Sequence, residues 1–226
     1  MTAPTRLPTR LPTAARRAVI VALGALAACA SQSGADAAAR EAGGTVAAAA
    51  PGAQPARPLA VVAGQRVVVV PVQRVAGHAL LGVSAPALDA ELAFALEERG
   101  LASRWTAAEG ARRMASQNPT FTGDPGAIDL GPAKVGEDLA EPAASQLRAL
   151  AALADARYVV VPQELRADTP GGARAVLRVA LVDTRRQQLL WAGETAGVPL
   201  ADVAAAARAP RVATQFVDLI AAPPPP

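Results

Sequence analysis

One cysteine, one histidine and one lysine in 226 residues leave few routes to chemistry. Cys29 alone permits no intramolecular disulfide, His78 alone permits no multi-histidine metal site, and Lys134 alone makes lysine chemistry a poor fit. A Ser-His-Asp arrangement would have to use His78, between Gly77 and Ala79, and no serine sits in a G-x-S-x-G elbow. His78 therefore reads as a solvated loop residue. Gly126 and Gly131 have P-loop spacing, but Pro132 and Ala133 stand where Lys and Ser or Thr must hold phosphate and magnesium. Asp124, Asp129, Glu137, Asp138 and Glu141 could attract calcium, yet their spacing is not that of an EF-hand loop. No catalytic residue, cofactor site or metal site is expected from these patterns, although two distant carboxylates can converge in a fold.

Cys29 is the residue best placed for a modification. Residues 1–17 carry four arginines and no acid, residues 18–28 read AVIVALGALAA, and Cys29 follows. That is the n-region, h-region and processing site of an export signal. The apolar run from Ala18 to Ala30 is 13 residues long, short of the roughly 20 that a membrane-spanning helix needs. The tetrad Leu26-Ala27-Ala28-Cys29 resembles the lipobox of bacterial lipoproteins. That resemblance implies cleavage before Cys29, lipid (palmitate among it) on that residue, and, with Ala30 rather than Asp next, sorting to the outer membrane. An ordinary secretory signal with Cys29 incidental is the alternative. Arg16-Arg17 also matches the start of a twin-arginine signal, the general secretion route being the simpler reading.

The formal charge of +3 belongs to the leader: from Cys29 onward there are 18 basic and 19 acidic residues, and from Arg57 onward 17 of each. A neutral body with 3% aromatic residues lacks the basic patch and stacking rings of a nucleic-acid reader. Arg112-Arg113 and Arg185-Arg186 read as solvated faces.

Four segments are expected: a lipoprotein signal peptide over 1–28, a flexible Ala/Gly/Pro/Ser-rich tether over 29–58, an α/β domain over 59–221 and a Pro tail over 222–226. Residues 30–58 contain no Leu, Ile, Phe, Trp or Tyr and cannot build a core; such a coil has a typical reach of roughly 30 Å. The domain opens on the β-branched run Arg66–Val72, which suits a strand buried on both faces. Ser84 caps a helix carrying Leu88, Leu92 and Leu96 that ends at Gly100. A second strand is expected over 101–105 and a second helix over 106–114.

The Pro- and Gly-rich stretch 117–142 reads as a long loop, either a binding lid or a partly ordered excursion. A short helix with Leu147, Leu150 and Leu153, a strand over 157–165, a hairpin over 173–194 turning near Asp183–Arg186, and a helix over 201–220 broken or kinked at Pro210 complete the order β-α-β-α-loop-α-β-β-β-α. The fold class is α/β (α+β), a mixed sheet of about four to five strands with helices packed on it. Asp183 is expected to open the turn and Trp191 to pack a helix on the sheet, rather than to face a partner.

Together VVVVPV, LDAELAFALEERG, LADARYVVVPQEL and AVLRVALVDTRRQQLLWAGET resemble an α/β domain of envelope proteins. The group includes the curli-secretion lipoprotein, activators of penicillin-binding proteins and the amino-terminal domain of the Tol-system β-propeller protein. Pro71, Gly100, Ala154-Asp155-Ala156, Asp183 and Trp191 occupy the group's characteristic places. The Gly often found after the Asp turn is replaced by Arg185-Arg186, and the polar residues usual after the first strand are Val72-Gln73. The resemblance implies a non-enzymatic, lipid-anchored periplasmic binding or accessory module of a cell-envelope assembly, contacting the membrane through Cys29 and an envelope protein through its domain. Alternatives are a subunit of an oligomeric secretion or assembly complex and a hydrolase using carboxylates gathered by the 117–142 loop.

Overall fold

The computed structural model describes residues 58–168 and 173–221. The chain divides into two units, Met1–Gly52 and Ala53–Pro226, and every described residue belongs to the second. Leu26, Ala27, Ala28 and Cys29, the tether to residue 57 and the Pro tail lie outside the described residues. In chain order the elements are α1 (Pro58–Val62), β1 (Val67–Val69), β2 (Arg74–Val75), α2 (His78–Leu81), α3 (Ala85–Glu98), β3 (Trp105–Thr106), α4 (Ala108–Gln117), α5 (Ala143–Leu153), β4 (Tyr158–Ala167), β5 (Arg174–Asp183), β6 (Gln188–Glu194), β7 (Val198–Pro199) and α6 (Ala205–Ala221).

The domain is α+β, with a mixed sheet in the order β3-β1-β4-β5-β6. β1 lies parallel to β3 and β4, while β5 runs antiparallel to both β4 and β6. Among the described residues the sheet has seven strands, not four to five, because the two-residue β2 and β7 pair with the far ends of β4 and β5. Elements that short have no periodicity to read.

Both faces of the sheet are covered, which explains the unbroken valine run of β1. Val67, Val69, Val160, Leu177, Val179 and Leu181 pack into one core with Leu88, Leu92 and Leu96 of α3 and Val212, Phe216 and Ile220 of α6. Val68, Val159, Val161, Ala180 and Val182 turn to the other face, against Ala111 of α4 and Leu147, Leu150 and Ala151 of α5. Alternate residues of one strand thus feed different cores, as the two-residue period of a strand requires.

The local signals for α3 hold. Ser84 accepts the Ala87 N–H at 3.3 Å, and Gly100 leaves the helix at φ +70°, a conformation that suits glycine. The strand expected over 101–105 shrinks to Trp105–Thr106, because Leu101 instead accepts the Arg104 and Trp105 N–H groups in a turn. The following helix starts at Ala108 and reaches Gln117, and α6 begins at Ala205 and continues through Pro210 as one helix. The backbone of His78 opens the short helix α2 rather than a loop.

Candidate functional site

Where β1 ends, the chain must leave the sheet, and polar residues take over from valine. Gln73 and Arg74 follow the buried Val72, and Arg74–Val75 pairs with Glu164–Leu165 of β4. On β4 the register against β5 shifts between Pro162 and Glu164, so Gln163 sits in a bulge. Proline has no N–H to give a ladder, and bulges are where strands tolerate it. The carbonyl of Pro162 instead accepts the Gln73 backbone N–H at 2.9 Å.

These irregularities open a cleft of about 370 Å³ lined by Gln73, Arg74, Ile128, Asp129, Gln163, Glu164 and Arg178, among others. It lies beyond the carboxyl end of β1, the place where open α/β sheets most often receive ligands. One wall is the loop from Asn118 to Pro142. That loop is a packed segment: Ile128, Leu130 and Leu139 are buried in the core shared with α5. Gln73 fastens it, its Nε2 donating to the Pro71 carbonyl and, at 2.9 Å, to that of Pro125, while its Oε1 accepts the Ile128 N–H.

Four of the five loop acids weighed above as calcium ligands or hydrolytic carboxylates accept from backbone N–H groups. Asp124 accepts from Gly126 and Asp129 from Gly131, each at 2.8 Å; Glu137 accepts from Lys134 and Glu141 from Ser145. They are spent on turns and on the start of α5. Among the described residues no group of three or more His, Cys, Asp or Glu is placed to hold a metal ion. Within the cleft Glu164 takes two bonds from the Arg74 guanidinium, one of 2.9 Å. Arg178, its cross-strand neighbour, is exposed and forms no ion pair among the described residues. Gln163 Oε1 is buried without a hydrogen-bond partner among them. The cleft therefore offers one uncommitted guanidinium and one unsatisfied amide oxygen.

Two buried aspartates brace the frame. Asp89 of α3, 4% exposed, accepts the Val72 N–H at 2.8 Å and an N–H of Arg112, tying α3, the exit of β1 and α4 together. Burial pushes its carboxyl above the ordinary aspartate range, against the opposing pull of the Val72 N–H and the Arg112 guanidinium. Asp183, 1% exposed at the end of β5, takes three bonds from Arg157, and its Oδ1 also accepts the N–H groups of Arg185 and Arg186. Burial opposes ionisation here too, but Arg157 and the two turn amides outweigh it and hold the carboxyl below its usual range. Asp183 thus opens the turn, and Trp191, 5% exposed, packs in the core with α3 and α6. The expectation for both is met.

Gln73, Arg74, Gln163 and Arg178 were not singled out for function from the sequence, nor was Asp89. The abrupt change from VVVVPV to Gln73-Arg74 is the one local signal for the cleft, whereas the bulge at Gln163 depends on pairing with β5.

A sheet covered on both faces, with a polar cleft at one end, defines the class as an α+β domain of mixed sheet. No protein-family model and no curated protein matches the chain. Among solved structures it is similar to the PelC dodecamer from Paraburkholderia phytofirmans, at 18% identity over 75% of this chain and 95% of that one, with a TM-score of 0.36. It is also similar to LpoB of Escherichia coli, at 15% identity over 87% and 88% of the two chains with a TM-score of 0.39. For the LpoB C-terminal domain the figures are 17%, 61% and 83%, with a TM-score of 0.36. Likeness at this level carries no argument about function, which rests on the residues of this chain. Among the described residues no helix is long and apolar enough to cross a membrane.

Proposed function

We propose that the protein is a lipid-anchored accessory module of a bacterial cell-envelope assembly, tethered through Cys29 to the periplasmic face of the outer membrane and working by contact rather than by reaction. The observation that carries the contact reading is the commitment of the cleft's acids. Glu164 is held by Arg74 and Asp129 by the Gly131 N–H, leaving Arg178 as the uncommitted charge. General acid–base catalysis needs a carboxyl within reach of a substrate proton, and both acids lining the cleft already accept hydrogen bonds from the chain itself. A guanidinium beside an unsatisfied amide oxygen suits a polar partner segment presenting both acceptors and N–H or O–H donors. The lipobox-like tetrad supports the address, and the Ala/Gly/Pro/Ser-rich composition after it suits a tether.

Two measurements test the reading. Intact mass and membrane fractionation of the wild type beside Cys29→Ala should give a lipid-bearing chain beginning at residue 29 and a variant released from the membrane; a soluble, unlipidated wild type would overturn the anchor. Arg178→Glu should stay in the membrane fraction yet reproduce the envelope defect of a deletion, read as sensitivity to detergent. An unaltered envelope in the deletion strain would overturn the accessory role.

A further inference from the structure

The end of the sheet opposite the cleft carries a pattern that only the strand register reveals. Val67, Trp105 and Tyr158 lie side by side as the first residues of the three parallel strands β1, β3 and β4, and each is preceded by an arginine: Arg66, Arg104 and Arg157. Asp183, which ends β5, pairs with Tyr158 at the same level and leads into Arg185 and Arg186. Five guanidiniums thus gather along one edge of a body whose 17 basic and 17 acidic residues balance overall.

Two carboxylates answer them. Asp183 is consumed by Arg157, and Asp155 meets Arg66 at 3.4 Å in a solvent-exposed pair of the kind that contributes little. Arg104 donates to the Gly64 carbonyl at 2.6 Å and stays exposed, and the side chains of Arg185 and Arg186 form no ion pair among the described residues. Gly64, Gln65, Arg66, Asp155, Arg157 and Arg185 enclose a cleft of about 260 Å³ there. At the end of α3, Glu97 and Glu98 offset part of this excess, and Arg99 is paired to Asp218 of α6.

This edge is also where the chain enters the domain, since α1 leads directly into Gly64, Gln65 and Arg66. We propose that the arginine row is a contact surface for an anionic phospholipid bilayer, turning this end of the sheet toward the membrane and the Gln73–Arg178 cleft away from it. The inference rests on the lipid-anchor reading for its setting. A tether of limited reach holds the domain near a surface, and juxtamembrane basic groups are drawn to anionic headgroups within a Debye length.

The test uses the chain from residue 29 with Cys29→Ala, so that no lipid contributes. It is sedimented with phosphatidylcholine vesicles, with and without about one part in three of phosphatidylglycerol. Binding is expected only to the anionic vesicles and should be lost at about 0.5 M salt. It should weaken by about fivefold for each arginine removed in Arg66→Gln/Arg185→Gln/Arg186→Gln. The single variant Arg186→Glu, on an exposed turn, keeps the test decisive if the triple variant misfolds. Equal binding to neutral vesicles, or anionic binding unmoved by Arg186→Glu, overturns the proposal. So does abolition of vesicle binding by inorganic phosphate at constant ionic strength, which would reassign the row to a discrete phosphate site. Lipidation is read separately by mass, so failure of this surface and failure of the anchor give different results.

Discussion

Asp89 accepts the backbone N–H of Val72 at 2.8 Å, so a helix on one side of the sheet fixes the point at which β1 ends and the cleft begins. The same carboxylate meets Arg112, whose side chain is 39% exposed, and one buried group thereby sets the spacing of three elements. Asp89→Asn keeps the acceptor for Val72 and is expected to cost no more than about 1 kcal/mol, whereas Asp89→Leu orphans that N–H and should cost about 2–3 kcal/mol in urea unfolding.

The two buried aspartates should respond to pH with opposite sign. The folded-state pKa of Asp183 is depressed, so its stabilising contribution is present above the unfolded value of about 3.9 and is lost as pH falls through the lower folded value. That of Asp89 is raised, so its contribution is present below the unfolded value and declines as pH rises through the folded one. Urea midpoints followed through the acid range should therefore lose a descending limb in Asp183→Asn and a rising penalty in Asp89→Asn. Identical profiles for the two variants would contradict the assignment.

Removing Asp183 should also weaken the hairpin turn. Asp183→Ala breaks a pair whose arginine keeps 33% exposure, so the expected loss is about 2–3 kcal/mol, below the 3–5 kcal/mol typical when a fully buried partner is orphaned. Hydrogen exchange at the Arg185 and Arg186 amides should accelerate more than at Val160.

Gln73→Ala severs the fastening of the long loop. Two hydrogen bonds to the loop and one to the Pro71 carbonyl, at about 1 kcal/mol each, set the expected loss at about 2–3 kcal/mol, with the Ile128 amide losing protection ahead of the sheet. Uniform loss of protection across β4 and β5 would show that the loop is not a separate unit.

Gly193→Ala tests packing on β6. A methyl at Gly193 would overlap the Trp191 ring, a rigid neighbour held in the core, and the expected cost is about 1–3 kcal/mol with an altered near-ultraviolet tryptophan signal.

Strands with a face to bury were legible from the chain. The valine run of β1, the alternation of Leu177, Val179 and Leu181, and the Ser84 and Gly100 ends of α3 each carry local physics that the fold does not override. The register was not legible: Arg66, Arg104 and Arg157 are 38 and 53 residues apart in sequence and become neighbours only when three strands align in parallel. The bulge at Gln163 and the pairing of β2 with β4 depend on the same long-range alignment, so the cleft stayed hidden while most of the architecture did not. Stretch 117–142 looked structureless because its order comes from Asx turns and three apolar side chains rather than from any period.

The packed loop has one more effect, at the sheet's far margin. Gly136 donates to the Leu189 carbonyl, Leu189 to that of Glu137, and Leu139 to that of Gln187, with Asp138 bridging Gln188. The start of β6 therefore spends its outward backbone groups on its own chain, and the strand at the opposite margin, β3, is two residues long. Exposed strand margins are the usual seeds of runaway self-association. Here the start of one margin is already occupied by the chain itself, while the other is too short to template a neighbour.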